Sequence, residues 1–238
     1  ALVVRADADP ACGHVDGYPA GTAAVLATAI GLGAALATER GAVTVIGVPG
    51  DTGMVAMARA GMFDEFDAVL SAMPAPTGEG FCYTIDGSGD QLAARTATLT
   101  TEGDSSTLVT ALVETVEAHD PSGRIDAESS DAGVELTLTG RTRNDLLALS
   151  AAIQRVVDET PGASLTFGTT FDDMIVNRIL ARRVKTYANT LSYKLDKVHK
   201  TEPAPASGWG SISYATPTFV MNFPFTTETV VRGEPAFG

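Results

Sequence analysis

Two side chains near the start of the chain are of types that bind metal ions. Cys12 and His14 stand two positions apart in Ala11-Cys12-Gly13-His14, between an apolar run and a long Ala-rich stretch. A thiolate and an imidazole at that spacing, in a strand-to-helix loop, can share one divalent cation. The same pair also suits a small buried cysteine and a hydrogen-bonded loop histidine. Asp7, Asp9 and Asp16 lie close by in sequence as oxygen donors, although solvated loop carboxylates are the commoner case. Other chemistries lack their signatures. Gly31-Leu32-Gly33 falls inside a helical stretch and lacks the third glycine of a dinucleotide turn. No Gly-x-Ser-x-Gly elbow and no phosphate loop ending in Gly-Lys-Ser/Thr occurs. Trp209, the one tryptophan, lies in a Gly/Ser-rich stretch where filling the core is its commoner use.

The elements that would carry these residues alternate over the first 90 positions. Ala1–Ala6 reads as a strand, Thr22–Arg40 as a core helix stopped by Gly41, and Ala42–Val48 as a buried β-branched strand. Val55–Ala60 reads as a short helix and Asp67–Ala72 as a strand. This order predicts a mostly parallel sheet covered by helices. Met73–Asp90, rich in proline and glycine, reads as a linker. From 91 to 170 the order becomes β-α-β-β-α-β, the split βαβ or ferredoxin-like sandwich. Asp104 caps a helix with the stripe Leu108, Leu112 and Val116. Val134, Leu136 and Leu138 alternate with polar residues as a half-buried strand, and Leu146, Leu149, Ile153 and Val156 face inward from a second helix. A single long helix is predicted from Asp172 to about Lys200, its basic residues forming a solvated outer face. Residues 201–213 read as a loop and Thr218–Phe223 as a strand. The derived fold class is α/β: a parallel-sheet catalytic-type domain over 1–90 and 171–238, interrupted by a lid-type domain over 91–170.

Composition narrows the partners. The 238 residues are 45% hydrophobic, enough for one large or two modest cores. The net charge of -13 excludes nucleic acid and anionic membrane as natural partners, since both require a basic face. Two cysteines, Cys12 and Cys82, are too few for a disulfide framework. With neither a signal peptide nor a run long enough to span a bilayer, the sequence points to the cytoplasm. Ala1 is not a methionine, and Ala1–Arg5 already reads as a strand, so either processing or an upstream segment is expected.

Several strings, taken in order, resemble the zinc-dependent aminoacylase/carboxypeptidase amidohydrolases, peptidase family M20. The nearest branch is that of auxin-conjugate and aminobenzoyl-glutamate hydrolases. Arg5-Ala6-Asp7-Ala8-Asp9 resembles the branch's RADMD strand end, and Ala11-Cys12-Gly13-His14 matches its ACGH motif. Gly47-Val48-Pro49-Gly50-Asp51-Thr52 stands where the branch has GTPAEE. Ala60-Gly61-Met62-Phe63 with Phe66-Asp67-Ala68, and Ser211-Ile212-Ser213-Tyr214-Ala215-Thr216-Pro217-Thr218, resemble two further stretches. The resemblance implies a catalytic domain with an inserted smaller lid domain, two metal ions that activate a water, and a carboxylate that takes its proton. It also implies an N-acyl amino acid or small peptide as substrate.

Carried over position by position, the resemblance makes Cys12 and His14 metal ligands, zinc or another divalent ion, and Asp51 the catalytic general base. Aspartate is one methylene shorter than the usual glutamate, and an aspartate in a glycine-rich turn is also an ordinary turn residue. Other positions depart from the pattern. Thr52 replaces a metal-binding glutamate, Met73 a histidine before proline, Gly208 an acidic residue and Gly233 a histidine. The lid passes from Thr101-Glu102-Gly103 to Asp104 without the histidine that would stabilise an oxyanion. His119 and His199 sit at helix ends, where a C-terminal dipole explains them. Three readings therefore stand: a metal-dependent amidohydrolase with a rearranged or single-metal site, an inactive relative that serves as a binding or assembly subunit, and a fragment or divergent product that keeps the fold and little else. The first two allow a homodimer or hetero-oligomer formed through 91–170.

Overall fold

A computed structural model describes residues 1–5, 18–36, 41–75, 81–83, 91–131, 133–192, 195–197 and 206–224. The chain divides into two units. The first comprises Ala1–Gly87, Ile175–Thr201 and Ile212–Gly238, the second Ser88–Met174 and Glu202–Ser211.

The first unit opens with β1 (Leu2–Arg5), α1 (Tyr18–Ala35), β2 (Val45–Val48), α2 (Gly50–Arg59), β3 (Val69–Ala75) and β4 (Phe81–Tyr83). The predicted β-α-β-α-β order is thus present, and β1 lies between β2 and β3, parallel to both. Two expectations need correction. Val45 is 38% exposed and among the four residues of β2 only Val48 is buried, because β2 is the edge of the sheet rather than an interior strand. The helix α1 is no core helix. Val25 packs with Leu2, Leu70, Ala29 and Leu32, but Leu26 is 48% and Ile30 77% exposed. Its sequence is apolar on every side, so packing the sheet-facing side leaves apolar surface outward. The expected linker also holds structure: Met73–Ala75 complete β3, and β4 follows within the same stretch.

The second unit holds β5 (Ala93–Thr101), α3 (Ser105–His119), β6 (Arg124–Ser130), β7 (Gly133–Gly140), α4 (Arg143–Asp158) and β8 (Ala163–Phe171). Its strands run antiparallel in the order β6-β7-β5-β8. Period-two apolar residues on the strands meet the helical stripes in one core, where Leu112, Leu138, Leu146, Leu149 and Ile153 are fully enclosed. Val157 is buried and Val156 only packs at the margin, reversing the expected inward residue. Both helices begin with built caps. Asp104 accepts a hydrogen bond from the Ser106 amide (2.9 Å). Thr142 and Asp145 form a reciprocal capping box on α4. Gly133, the first residue of β7, lies at φ 134, and a Cβ there would stand 2.4 Å from the Leu99 carbonyl oxygen.

The chain then forms α5 (Arg178–Thr190), β9 (Leu195–Lys197), α6 (Gly208–Ala215) and β10 (Thr218–Pro224). The single helix predicted from 172 to about 200 is therefore shorter. Asn177 caps its start through the Leu180 amide, and Ser192, at φ 63, turns the chain after its end. Half of the predicted 201–213 loop is instead the start of α6, where burial of Trp209 and Ile212 overrides weak glycine and serine propensity. β10 is parallel to β3, giving the sheet order β2-β1-β3-β10-β4-β9 among the described residues. No helix of the described residues is long and apolar enough to cross a membrane.

Candidate metal centre

The register of β1 and β2 determines where the candidate residues leave the sheet. Leu2 pairs with Val45 and Arg5 with Val48, so both strands end at the same edge. The chain after Arg5 leads toward Cys12 and His14; the chain after Val48 reaches Asp51 within three residues. β3 runs parallel on the other side of β1, so the first crossover leads to one flank of β1 and the next to the other. The carboxyl ends of parallel strands at such a reversal are where open α/β sheets bind ligands.

Asp51 is carried on α2, not on a turn before it. The predicted helix began at Val55; the observed one begins at Gly50. Gly50 adopts φ 70, a value that favours glycine, and lets the chain turn from Pro49 into the helix. Gly53 is similarly required, since a Cβ there would come within 2.6 Å of the Pro49 ring. Asp51 therefore sits in the first helical turn, half-buried, where a carboxylate complements the helix dipole. That placement accounts for an aspartate here and puts it within three residues of the carboxyl end of β2. Thr52, the next residue, is exposed.

Cys12 and His14 lie outside the described residues, as do Asp7, Asp9, Asp16, His199 and Gly233. Met73 is placed only by its backbone, in β3 opposite Asn222 of β10. His119 is the last residue of α3 and exposed, as its helix-end reading requires. Gly208 is the first residue of α6 and buried. Among the described residues, no three of His, Cys, Asp and Glu gather as a metal site. The donor types themselves decide what ion arrangement the sequence can supply. Thiolate and imidazole suit one zinc-like ion, while the hydroxyl of Thr52 and a thioether at Met73 do not suit a second.

The sequence reading missed a set of buried polar residues in the second unit, Gln91, Asp172, Asp173 and Ser211. Polar residues buried singly, far apart in sequence, leave no periodic trace. The adjacent pair Asp172-Asp173 directly after a strand was the one available signal.

Trp209, by contrast, is buried as its core-filling reading required.

No family model matches the sequence, and no curated protein matches it. Solved structures do match in fold. A dinuclear metal-binding peptidase of the M20 family from Bacillus subtilis superposes with a TM-score of 0.72 at 15% identity, over 100% of this chain and 74% of its own. A protein described as an aminohydrolase from methicillin-resistant Staphylococcus aureus gives 0.70 at 19% identity, over 93% of this chain and 71% of its own. The aminobenzoyl-glutamate utilization protein of Klebsiella pneumoniae gives 0.66 at 14% identity, over 93% of this chain and 65% of its own. The chain has their fold, a parallel-sheet unit with an antiparallel unit, and spans roughly two thirds to three quarters of each.

Proposed function

We propose that this chain, built on the fold of the M20 peptidases, is a metal-dependent amidohydrolase that cleaves the amide bond of an N-acyl amino acid or small peptide. The observation that carries the proposal is the in-register, parallel pairing of β1 and β2. It sends the segment bearing Cys12 and His14 and the segment bearing Asp51 out of the same sheet edge. Cys12 and His14 would hold one divalent cation, zinc being the ion their chemistry suits. Such an ion, when bound, supplies Lewis acidity and an acidified water. Asp51 would serve as the general base, taking a proton from the attacking water and returning it to the departing amine.

The test is metal analysis of the purified chain together with hydrolysis of a panel of N-acyl amino acids. Asp51→Asn is expected to leave bound metal unchanged and to lower kcat by about 10²–10⁴-fold. Cys12→Ser and His14→Ala are expected to lose the metal. Absence of both metal and turnover in the unaltered chain ends the proposal.

One observation favours a second reading, a non-catalytic assembly subunit. Thr52 presents an exposed neutral hydroxyl where the resemblance requires a metal-binding carboxylate. On this reading residues 91–170 carry the function, pairing two copies or a different partner along an edge such as β6, most of whose residues are exposed. Light scattering decides it: a chain that is monomeric at all concentrations and binds no partner refutes the subunit reading.

A further inference from the structure

Burying a carboxylate is unfavourable unless its oxygens are occupied, so each buried acid identifies groups that the fold holds in place. Asp172, just after β8, is 3% exposed. Its Oδ2 accepts a hydrogen bond from the Ser211 hydroxyl at 2.6 Å. Its Oδ1 makes no hydrogen bond and lies 3.4 Å from Nε of Arg143, an ion pair whose arginine is half-exposed. Asp173 accepts from the Arg143 amide at 2.7 Å, so the start of α4 is tied to this segment through backbone as well as side chain. Gln91 completes the set. Its Nε2 donates to the Ser207 carbonyl at 3.0 Å and the Asp172 carbonyl at 3.4 Å, and its Oε1 accepts from the Ser207 hydroxyl at 3.0 Å.

Backbone packing points to the same place. A Cβ on Gly210 would stand 1.8 Å from the Asp172 carbonyl oxygen and 2.9 Å from Gln91 Nε2. Only glycine lets the first turn of α6 come this close. All of these residues belong to the second unit, and Gln91, Asp172, Asp173, Gly210 and Ser211 lie within a few residues of points where the chain passes between units, at 87/88, 174/175 and 211/212. Residues 202–211 belong to this unit as a separate segment, and its described part, 206–211, contributes no strand to the unit's sheet.

We infer that Gln91, Arg143, Asp172 and Ser211 form a polar clasp whose role is to fasten residues 206–211 to the second unit, with Asp172 as its pin. The inference is independent of the proposed hydrolase activity. Opening the clasp frees this segment, and with it the beginning of α6, while the four-stranded sheet stays folded.

Amide hydrogen exchange followed by mass spectrometry tests this on the full chain. Ser211→Ala removes one bond to the pin with minimal change in volume; Asp172→Asn keeps an acceptor for Ser211 and removes the charge facing Arg143. In both variants, exchange over 206–211 is expected to rise about tenfold or more relative to β5 and β7. Arg143→Ala is expected to add little further in the Asp172→Asn background. Exchange over 206–211 that stays within about twofold of the unaltered chain in both variants overturns the inference. So does a rise shared equally by the whole unit, which would make these residues ordinary contributors to its stability.

Discussion

Replacing Gly133 by alanine tests the register of the second unit's sheet at its tightest point. The residue sits at φ 134, outside the regions open to side-chain-bearing residues, and that conformation costs alanine about 1–3 kcal/mol. The new methyl would also stand 2.4 Å from the Leu99 carbonyl oxygen and 3.2 Å from Thr100 Cγ2. Leu99 pairs with Val134, next to the substitution, so the clash cannot be relieved without moving β5 from β7. Overpacking of that kind adds about 1–3 kcal/mol. Together the two effects amount to about 2–6 kcal/mol, a large fraction of a typical domain's stability. Trp209, the one tryptophan, is buried and belongs to the same unit, so its fluorescence reports the transition. With an m value of about 2 kcal/mol/M, the urea midpoint should fall by about 1–3 M. Gly103→Ala is the control: nothing lies within 4 Å of its Cβ position, and no positive φ opposes it. It should leave the midpoint within about 0.3 M. Equal midpoints for the two variants would refute the reasoning.

Three further outcomes are expected. Thr142→Ala breaks the capping box of α4, where the Thr142 hydroxyl accepts from the Asp145 amide and donates to its carboxylate, and should cost about 1 kcal/mol in the same urea assay. Asp104 is held below its ordinary carboxylate range, first by the Ser106 hydroxyl and then by the Ser106 amide. Because the folded value is the lower one, the cap contributes fully above the unfolded carboxylate range and is lost as pH falls through the folded value. Protection of the first turn of α3 against exchange should therefore decline with acidification, and protection that is flat after correction for intrinsic exchange rates would contradict this. Gly31→Ala and Gly33→Ala on the open face of α1, where nothing lies within 4 Å, should each raise stability by about 0.5–1 kcal/mol, read as the midpoint of helical circular dichroism.

The parts of this fold visible in the sequence are those governed by periodicity. Leu108, Leu112 and Val116 repeat at helical spacing, and Val134, Leu136 and Leu138 alternate; all six are buried. The β-α-β-α-β start was equally plain, and with the ACGH string it pointed to the fold that the solved structures share. What escaped was decided by packing instead of pattern. Glycine and serine at 207–211 speak against a helix, yet α6 forms there with Trp209 and Ile212 buried. β4 and β9, three residues each, pair with one another through a register no local pattern encodes. β2 has an interior strand's composition but an edge strand's position. Of the candidate site, the sequence reads Asp51 as part of a glycine-rich turn whereas it lies in the first turn of α2, since the turn at Gly50 depends on backbone freedom and leaves no apolar signature.

The outward side of α1 bears on handling the protein. A folded chain with a net charge of -13 should remain well dispersed at neutral pH through mutual repulsion, yet it displays Leu26 and Ile30 on a helix without a charged side chain from Tyr18 to Ala35. High salt removes the repulsion and strengthens apolar adhesion. The chain should therefore be retained strongly on a phenyl column in ammonium sulfate, and Ile30→Lys should elute much earlier.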